Sequence, residues 1–313
     1  MEMFDLMWEN QKKFNIKAKS NLRHQSKQEW INYFCLAMNM EISEFLNETN
    51  WKVHREIGHV EDAPRKLEEL VDIFKYFMMI AQESGFTAQQ IVEEYFRKSQ
   101  IVEERYLYEI RDSVPKKLIA GVDIDGVLAD YPDSFISFVN DQIGSAFKSS
   151  DWGIYDLSKI FTRLGITQQA GAELKKLYRT SGQKRFIKPF TGAADFLKFL
   201  KSKGYYIVLV TSRPYKEYQR IMSDTMYWLA ANDMTYDTIL WDEDKGSRLV
   251  NEFGVDNVDF FIEDYHKYAN DIAVRGITCY LFNRAYNFTQ LTHDNVVRVN
   301  TFNEIKDQMY RRG

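Results

Sequence analysis

Glu41-Ile-Ser-Glu44, Glu69-Leu-Val-Asp72 and Asp123-Ile-Asp125-Gly126-Val127 concentrate the chemistry this sequence could perform. Trp30, Phe34, Ala37, Glu41 and Glu44 are spaced 4-3-4-3, and Glu69, Asp72, Tyr76 and Met79 are spaced 3-4-3, so on helices each set forms one face. Carboxylates that continue an apolar stripe are costly unless a cation or a proton neutralises them. Four hard oxygen donors on two facing helices suit Mg2+ or Mn2+. A later helix would place Ile91, Tyr95, Lys98, Val102 and Arg105 on one face, turning Lys98 and Arg105 inward toward phosphate oxygens.

The acidic turn has a different setting. The apolar run up to Ile124 ends in Asp123 and Asp125, and residues at the carboxyl end of a parallel strand project into the sheet crevice where ligands bind. Later apolar runs end in Thr211-Ser212 and Glu263-Asp264, and Lys245 lies in Asp-Glu-Asp-Lys-Gly. Arg213, next to the Thr-Ser pair, could meet a phosphate or substrate, or form an ion pair.

These groups need two kinds of scaffold. Upstream the pattern is helical, with helices expected near 2–18, 27–48, 65–84 and 88–111 and a capping-box signal at Thr87-Ala-Gln-Gln90. Composition shifts at Asp112-Ser-Val-Pro-Lys-Lys117, where Pro115 disfavours helix at the residue before it. Downstream, extended runs at Leu118–Ile124, Tyr205–Thr211, Thr238–Trp241, Asp259–Ile262 and Thr278–Phe282 alternate with helical stretches such as Ala193–Lys203. That alternation implies a parallel α/β sheet. The expected architecture is an all-α domain over 1–113, then an α/β Rossmann-like domain over 114–313 with a helical cap at about 130–188. Phe135, Trp152, Tyr155 and Arg185 in the cap could enclose a ligand.

At 313 residues, 45% apolar and 15% aromatic, the chain can bury two cores. A net charge of -4 argues against a nucleic-acid-binding surface. Cys35 and Cys279 lie in apolar stretches and are expected to be buried free thiols of a reducing compartment. The first residues lack a signal core and no run reaches spanning length, so a soluble, cytoplasmic protein without a membrane partner is expected.

The acidic motifs on the expected helices resemble those of the all-α nucleoside triphosphate pyrophosphohydrolases (MazG-like), and within them the dimeric dUTPase/dCTPase branch. Glu41 through Trp51 and Lys52 is similar to that branch's first metal motif and its Trp-Lys loop. Gln11 and Asn15 resemble its base-recognising pair, and Tyr95-Phe-Arg-Lys98 with Arg105 its phosphate-contacting helix. Val102 and Glu103 stand where that branch often has Asn, which leaves the preferred base open. The resemblance implies attack of a metal-activated water on a phosphoanhydride, with Glu44 orienting or deprotonating the water, and a homodimer built through the helical domain.

The strand-end residues resemble all four motifs of the haloacid dehalogenase-type phosphatases, in order. Asp259 through Asp264, Lys245-Gly246 and Tyr280 through Asn287 are similar to the 5′(3′)-deoxyribonucleotidases. The resemblance implies Asp123 as nucleophile and Asp125 as proton donor and later base. It implies Thr211, Ser212 and Lys245 around the phosphoryl group, and Mg2+ held by Asp123, Asp125 and Asp264 with Glu263 beside them. Together the resemblances imply a bifunctional hydrolase that takes a pyrimidine deoxynucleoside triphosphate to its nucleoside. Two alternatives stay open: a phosphatase for polynucleotide ends or other small molecules, and a nucleotide-sensing helical domain that regulates the phosphatase.

Overall fold

The computed structural model describes residues 3–20, 25–49, 51, 63–110, 118–148, 161–162, 164–218 and 220–312. Its contacts divide the chain into two units, Met1–Tyr95 and Phe96–Gly313. The division falls inside a helix, earlier than the composition shift at 112–117.

The first unit is helical. Helices α1 (Met3–Ser20), α2 (Lys27–Asn47) and α3 (Ala63–Ser84) are followed by α4 (Ala88–Ile110), whose first turns belong to this unit. Ser26 starts α2 with a reciprocal capping box to Glu29, an arrangement worth about 1 kcal/mol. Trp30 and Phe34 of α2 bury against Met79 of α3, while Trp8 of α1 packs with Met78, Ala81 and Ala88. The apolar stripe on α2 runs from buried Trp30 and Phe34 to half-buried Glu41 and exposed Glu44. The carboxylates thus lie at the open end of the stripe rather than in its buried part, so water as well as a cation can reach them.

The second unit is built on a six-stranded parallel sheet in the order β3-β2-β1-β4-β5-β6. The strands are β1 (Ile119–Val122), β2 (Tyr206–Thr211), β3 (Thr238–Trp241), β4 (Val258–Glu263), β5 (Thr278–Phe282) and β6 (Val296–Val299). Val296-Val-Arg-Val299 was not anticipated as a strand; it is short, three of its residues are half-buried, and it forms an edge. The central strands read as continuous apolar runs because both their faces are covered, as parallel sheets require. The covering helices are α7 (Ala193–Ser202), α8 (Arg220–Ala231), α9 (Lys245–Phe253), α10 (His266–Val274) and α11 (Phe302–Arg312). Before α7, the insert contributes α5 (Tyr131–Ile143) and α6 (Gln168–Thr180), with a core of their own around Phe135, Phe138, Phe161 and Tyr178.

From Phe96 onward α4 packs on this unit. Gln100 is buried, donates to the Ile239 carbonyl of β3 (3.3 Å) and accepts from Trp241 Nε1 (3.1 Å). Thr238 Oγ1 donates to Glu103 (2.5 Å). The inward face of this half of α4 is therefore the 96-100-103 row. Lys98, Val102 and Arg105 are exposed, which corrects the expectation that Lys98 and Arg105 turn inward.

No described helix is long and apolar enough to cross a membrane. Both cysteines are free; Cys279 is buried, but Cys35 is only half-buried.

Candidate active sites

The order of the strands fixes where the second unit can act. Direction reverses between β1 and β4, and ligands of open parallel sheets bind outside the carboxyl ends of strands at such a point. Asp123 follows β1, Glu263 ends β4 and Asp264 comes just after it, so these acids meet there with carboxylate oxygens within 4.8 Å of one another. Lys245, at the start of α9, reaches Asp123 Oδ1 and Glu263 Oε2, each at 2.8 Å. Both oxygens of Glu263 are committed, because Oε1 accepts the Asp264 (3.1 Å) and Tyr265 (3.1 Å) backbone N–H groups. Glu263 therefore anchors the lysine, leaving Asp123 and Asp264 to face a ligand.

Three buried carboxyls around one ammonium leave an excess of negative charge. Burial, and then repulsion from Glu263, push Asp123 up to about 8 against the pull of Lys245. Burial raises Glu263 to about 7 although Lys245 opposes it, and burial with the Asp123 charge raises Asp264 to about 6. Lys245 is held above its ordinary range, because Asp123 and Glu263 outweigh its own burial. This hard, anionic oxygen set fits a divalent cation such as Mg2+, whose charge would return Asp123 to its ionised form.

Gly126 makes the turn possible. Its φ is +86°, and a Cβ there would lie 1.9 Å from Asp264 Oδ2, so only glycine lets the turn after Asp123 approach that carboxylate.

Asp125 has a separate setting. Arg213 grips it with two hydrogen bonds (Nη2 to Oδ1 2.6 Å, Nε to Oδ2 3.0 Å), and Lys184 Nζ adds a third at 2.6 Å. Burial alone would raise Asp125, but Arg213 and Lys184 more than offset it and hold the carboxyl well below its ordinary range. Burial brings Lys184 itself down to about 7, against the attraction of Asp125. Arg213 thus forms an ion pair, one of its two anticipated roles, and Arg213 Nη1 also donates to Thr225 (2.8 Å). Lys184 was not anticipated. It lies in Gln183-Lys-Arg-Phe186, a single helical turn of the insert, with nothing in its sequence surroundings to mark it.

Linkage gives these ion pairs a pH signature. Asp125 is depressed in the folded chain, so the unfolded chain binds more protons at acid pH and stability rises with pH there. The wild type is expected to exceed Asp125→Asn by about 3–5 kcal/mol at neutral pH, because the variant leaves two buried cations uncompensated. That advantage is complete above the unfolded carboxyl value and is lost as pH falls through the lower folded one. Denaturant unfolding of both proteins between neutral and acid pH reads it out.

Of the other anticipated contacts, Thr211 is buried at the end of β2, where its hydroxyl accepts the Arg213 N–H (3.3 Å), and Ser212 is half-buried beside it. Phe135 is fully buried in the core of the insert, stacked on Tyr131 and edge-on to Tyr178, which corrects its reading as a ligand-facing ring. Arg185 is also buried, paired with Asp224 and over the Tyr227 ring rather than open to a ligand. Trp152 and Tyr155 lie outside the described residues.

In the helical unit, Glu41, Glu69 and Asp72 bring carboxylate oxygens within 4.8 Å of one another. Glu44 is exposed and outside that group, yet its charge acts on both Glu41 and Glu69. Desolvation, then the neighbouring carboxylates, raise Glu41 and Glu69, and Glu41 and Glu69 share a hydrogen bond. Lys75 Nζ binds Asp72 Oδ1 at 3.0 Å. This oxygen set also fits a hard divalent cation. Gln11 and Asn15 are buried in a relay in which Gln11 Nε2 donates to Asn15 (3.2 Å), Asn15 Nδ2 to Gln82 (2.8 Å), and Gln82 Nε2 to the Trp8 carbonyl (2.9 Å). Trp51 is exposed, and Lys52 lies outside the described residues.

Residues 117–312 match the model of the family described as 5′ nucleotidase, deoxy (pyrimidine), cytosolic type C protein. The chain belongs to that family. Residues 3–114 match a dUTPase family model, so the chain joins two nucleotide-hydrolase families, the organisation of a bifunctional nucleotide hydrolase. No curated protein matches it. Among solved structures, a HAD family hydrolase from Deinococcus radiodurans R1 with bound phosphate and sodium is 11% identical (TM-score 0.47, covering 63% of this chain and 97% of that one). A haloacid dehalogenase-like hydrolase from Streptococcus pneumoniae is 13% identical (TM-score 0.44, 62% and 99%). A HAD-superfamily hydrolase, subfamily IA, from Geobacter sulfurreducens PCA is 14% identical (TM-score 0.41, 62% and 97%). The type C nucleotidase unit is a six-stranded parallel α/β sheet covered by helices, preceded by an all-helical region.

Proposed function

We propose that the chain converts a pyrimidine deoxynucleoside triphosphate to its nucleoside in two consecutive hydrolyses. The observation that carries this reading is the presence of two carboxylate clusters of different design in one chain, one on helices and one at strand ends. In the helical unit, water attacks a phosphoanhydride and releases pyrophosphate and the monophosphate. Glu41, Glu69 and Asp72 would hold Mg2+ or Mn2+, which would supply neutralisation of phosphate charge and a more acidic water. Glu44, exposed at the rim, orients that water or takes its proton. Trp51 and Lys52, with Gln11 and Asn15, serve base recognition.

In the nucleotidase unit, Asp123 Oδ1 is held by Lys245, which leaves Oδ2 to attack phosphorus in line. The P–O ester bond breaks, the nucleoside oxygen takes a proton from Asp125, and an aspartyl-phosphate forms. Water then cleaves that phosphate from Asp123 with Asp125 as base, giving inorganic phosphate. Asp125 is ionised by Arg213 and Lys184, which suits the second step. To give that proton in the first step Asp125 must first take one up from solvent, which requires both cations to turn to the arriving phosphate. Lys245, Thr211 and Ser212 neutralise and position the phosphoryl oxygens, and Asp123, the Asp125 carbonyl and Asp264 would hold Mg2+.

A homodimer through the helical unit fits its exposed apolar side chains, among them Leu36, Met40 and Leu67, each more than 60% exposed. Comparing dUMP and dCMP with a 3′-phosphorylated oligonucleotide tests the substrate class. Faster release of phosphate from the mononucleotides is expected; preference for the oligonucleotide would favour a polynucleotide phosphatase.

A further inference from the structure

One tight turn after β5 reaches both halves of the nucleotidase site. Arg284 donates twice to the Gly126 carbonyl (Nη2 2.7 Å, Nε 3.0 Å), and its guanidinium lies 4.0 Å over the Phe190 ring. Two residues on, the buried Tyr286 hydroxyl donates to Asp264 Oδ2. Asn287 Nδ2, fully buried, donates to the Asp264 carbonyl (2.6 Å) and the Phe282 carbonyl (2.7 Å). From β6, Arg298 fixes the turn by donating to the Asn287 and Gln290 carbonyls at 2.9 and 2.7 Å.

These bonds converge. Asp264 Oδ2, which Tyr286 holds, is the same atom that a Cβ on Gly126 would strike, so carboxylate and nucleophile turn touch there. Arg284 fixes the turn from one side while Tyr286 fixes the carboxylate from the other. Two donors from one short turn set the separation between the elements that carry Asp123 and Asp264.

We propose that Arg284 and Tyr286 are positioning residues that hold the nucleophile turn and Asp264 in register for the divalent cation. The inference rests on the assignment of Asp123 and Asp264 as cation ligands. Tyr286 fixes the rotamer of one ligand through its second oxygen, as outer-shell partners of metal ligands do. Arg284 fixes the backbone from which the nucleophile and the Asp125 carbonyl project.

The test uses the full chain carrying Glu41→Gln and Glu69→Gln, which strips the helical cluster of two carboxylates, with bound Mn2+ counted by electron paramagnetic resonance. Adding Tyr286→Phe is expected to weaken Mn2+ binding by about 10–100-fold. Its unfolding temperature without cation, and its KM for dUMP at saturating Mn2+, should be unchanged. Arg284→Met should lower kcat at saturating Mn2+ by tenfold or more with the fold intact. Unchanged Mn2+ affinity in Tyr286→Phe, or a loss matched by a lower cation-free unfolding temperature, overturns the inference, as does an unchanged kcat in Arg284→Met. Asp264→Asn separates the two levels: if it too binds Mn2+ normally, the underlying ligand assignment fails instead.

Discussion

Asp123→Asn is expected to lower phosphate release from a deoxynucleoside monophosphate by on the order of 10⁴-fold or more, while pyrophosphate release from the triphosphate is unchanged. The size follows from what is lost. Asn has no anionic oxygen with which to form the acyl-phosphate, so the covalent route closes rather than slows. The variant should still fold: the side chain is nearly isosteric, and Lys245 keeps Glu263 as a partner at 2.8 Å. Burial and the neighbouring acids already disfavour charge at position 123, so a neutral side chain there relieves local repulsion. Separate assays of phosphate and pyrophosphate on one preparation check both halves of the statement.

The reciprocal variant is Glu41→Gln. Pyrophosphate release is expected to fall by on the order of 10²-fold or more, since the cation contributes several kcal/mol of charge stabilisation. Glu41 is the sensitive choice because it is coupled to Glu44, Asp72 and Glu69 together and shares a hydrogen bond with Glu69. A neutral amide removes one ligand and one negative charge from that group. Phosphate release from the monophosphate should stay at the wild-type rate, because Asp123, Lys245 and Asp264 lie in the other unit. Loss of both activities in either single variant would mean that the units do not work independently.

The strand-end chemistry was legible because each functional group ends an apolar run, and a parallel sheet gathers such ends at one edge. Asp123, Glu263 and Asp264 stand at such ends and lie together, with Lys245, from the helix after β3, between them. Lys184 was not legible, because it comes from an insert whose local pattern carries no strand or motif, and only the chain's return to the sheet brings it to Asp125. The late segment Asn283 to Asn287 stood out by resemblance, but its bonds to Gly126 and Asp264 join residues far apart in sequence and have no periodicity to betray them.

The misreading of α4 has a specific cause. Ile91, Tyr95 and Val102 suggest one apolar face, whereas the packed face in its second half carries Phe96, Gln100 and Glu103. Polar side chains satisfied by an edge strand look like a solvent face to any count of apolar residues. Phe135 failed for the opposite reason: an aromatic side chain in an insert suits a ligand and a small core equally well, and here the core has it.

The most direct test of consecutive hydrolysis is a time course of the purified full chain with Mg2+ and dUTP or dCTP, following triphosphate, monophosphate, nucleoside, pyrophosphate and phosphate together. Pyrophosphate should appear first, the monophosphate should rise and fall, and nucleoside and phosphate should then accumulate in equal amounts. A triphosphate left intact, or a monophosphate that accumulates and is never cleaved, would contradict the account.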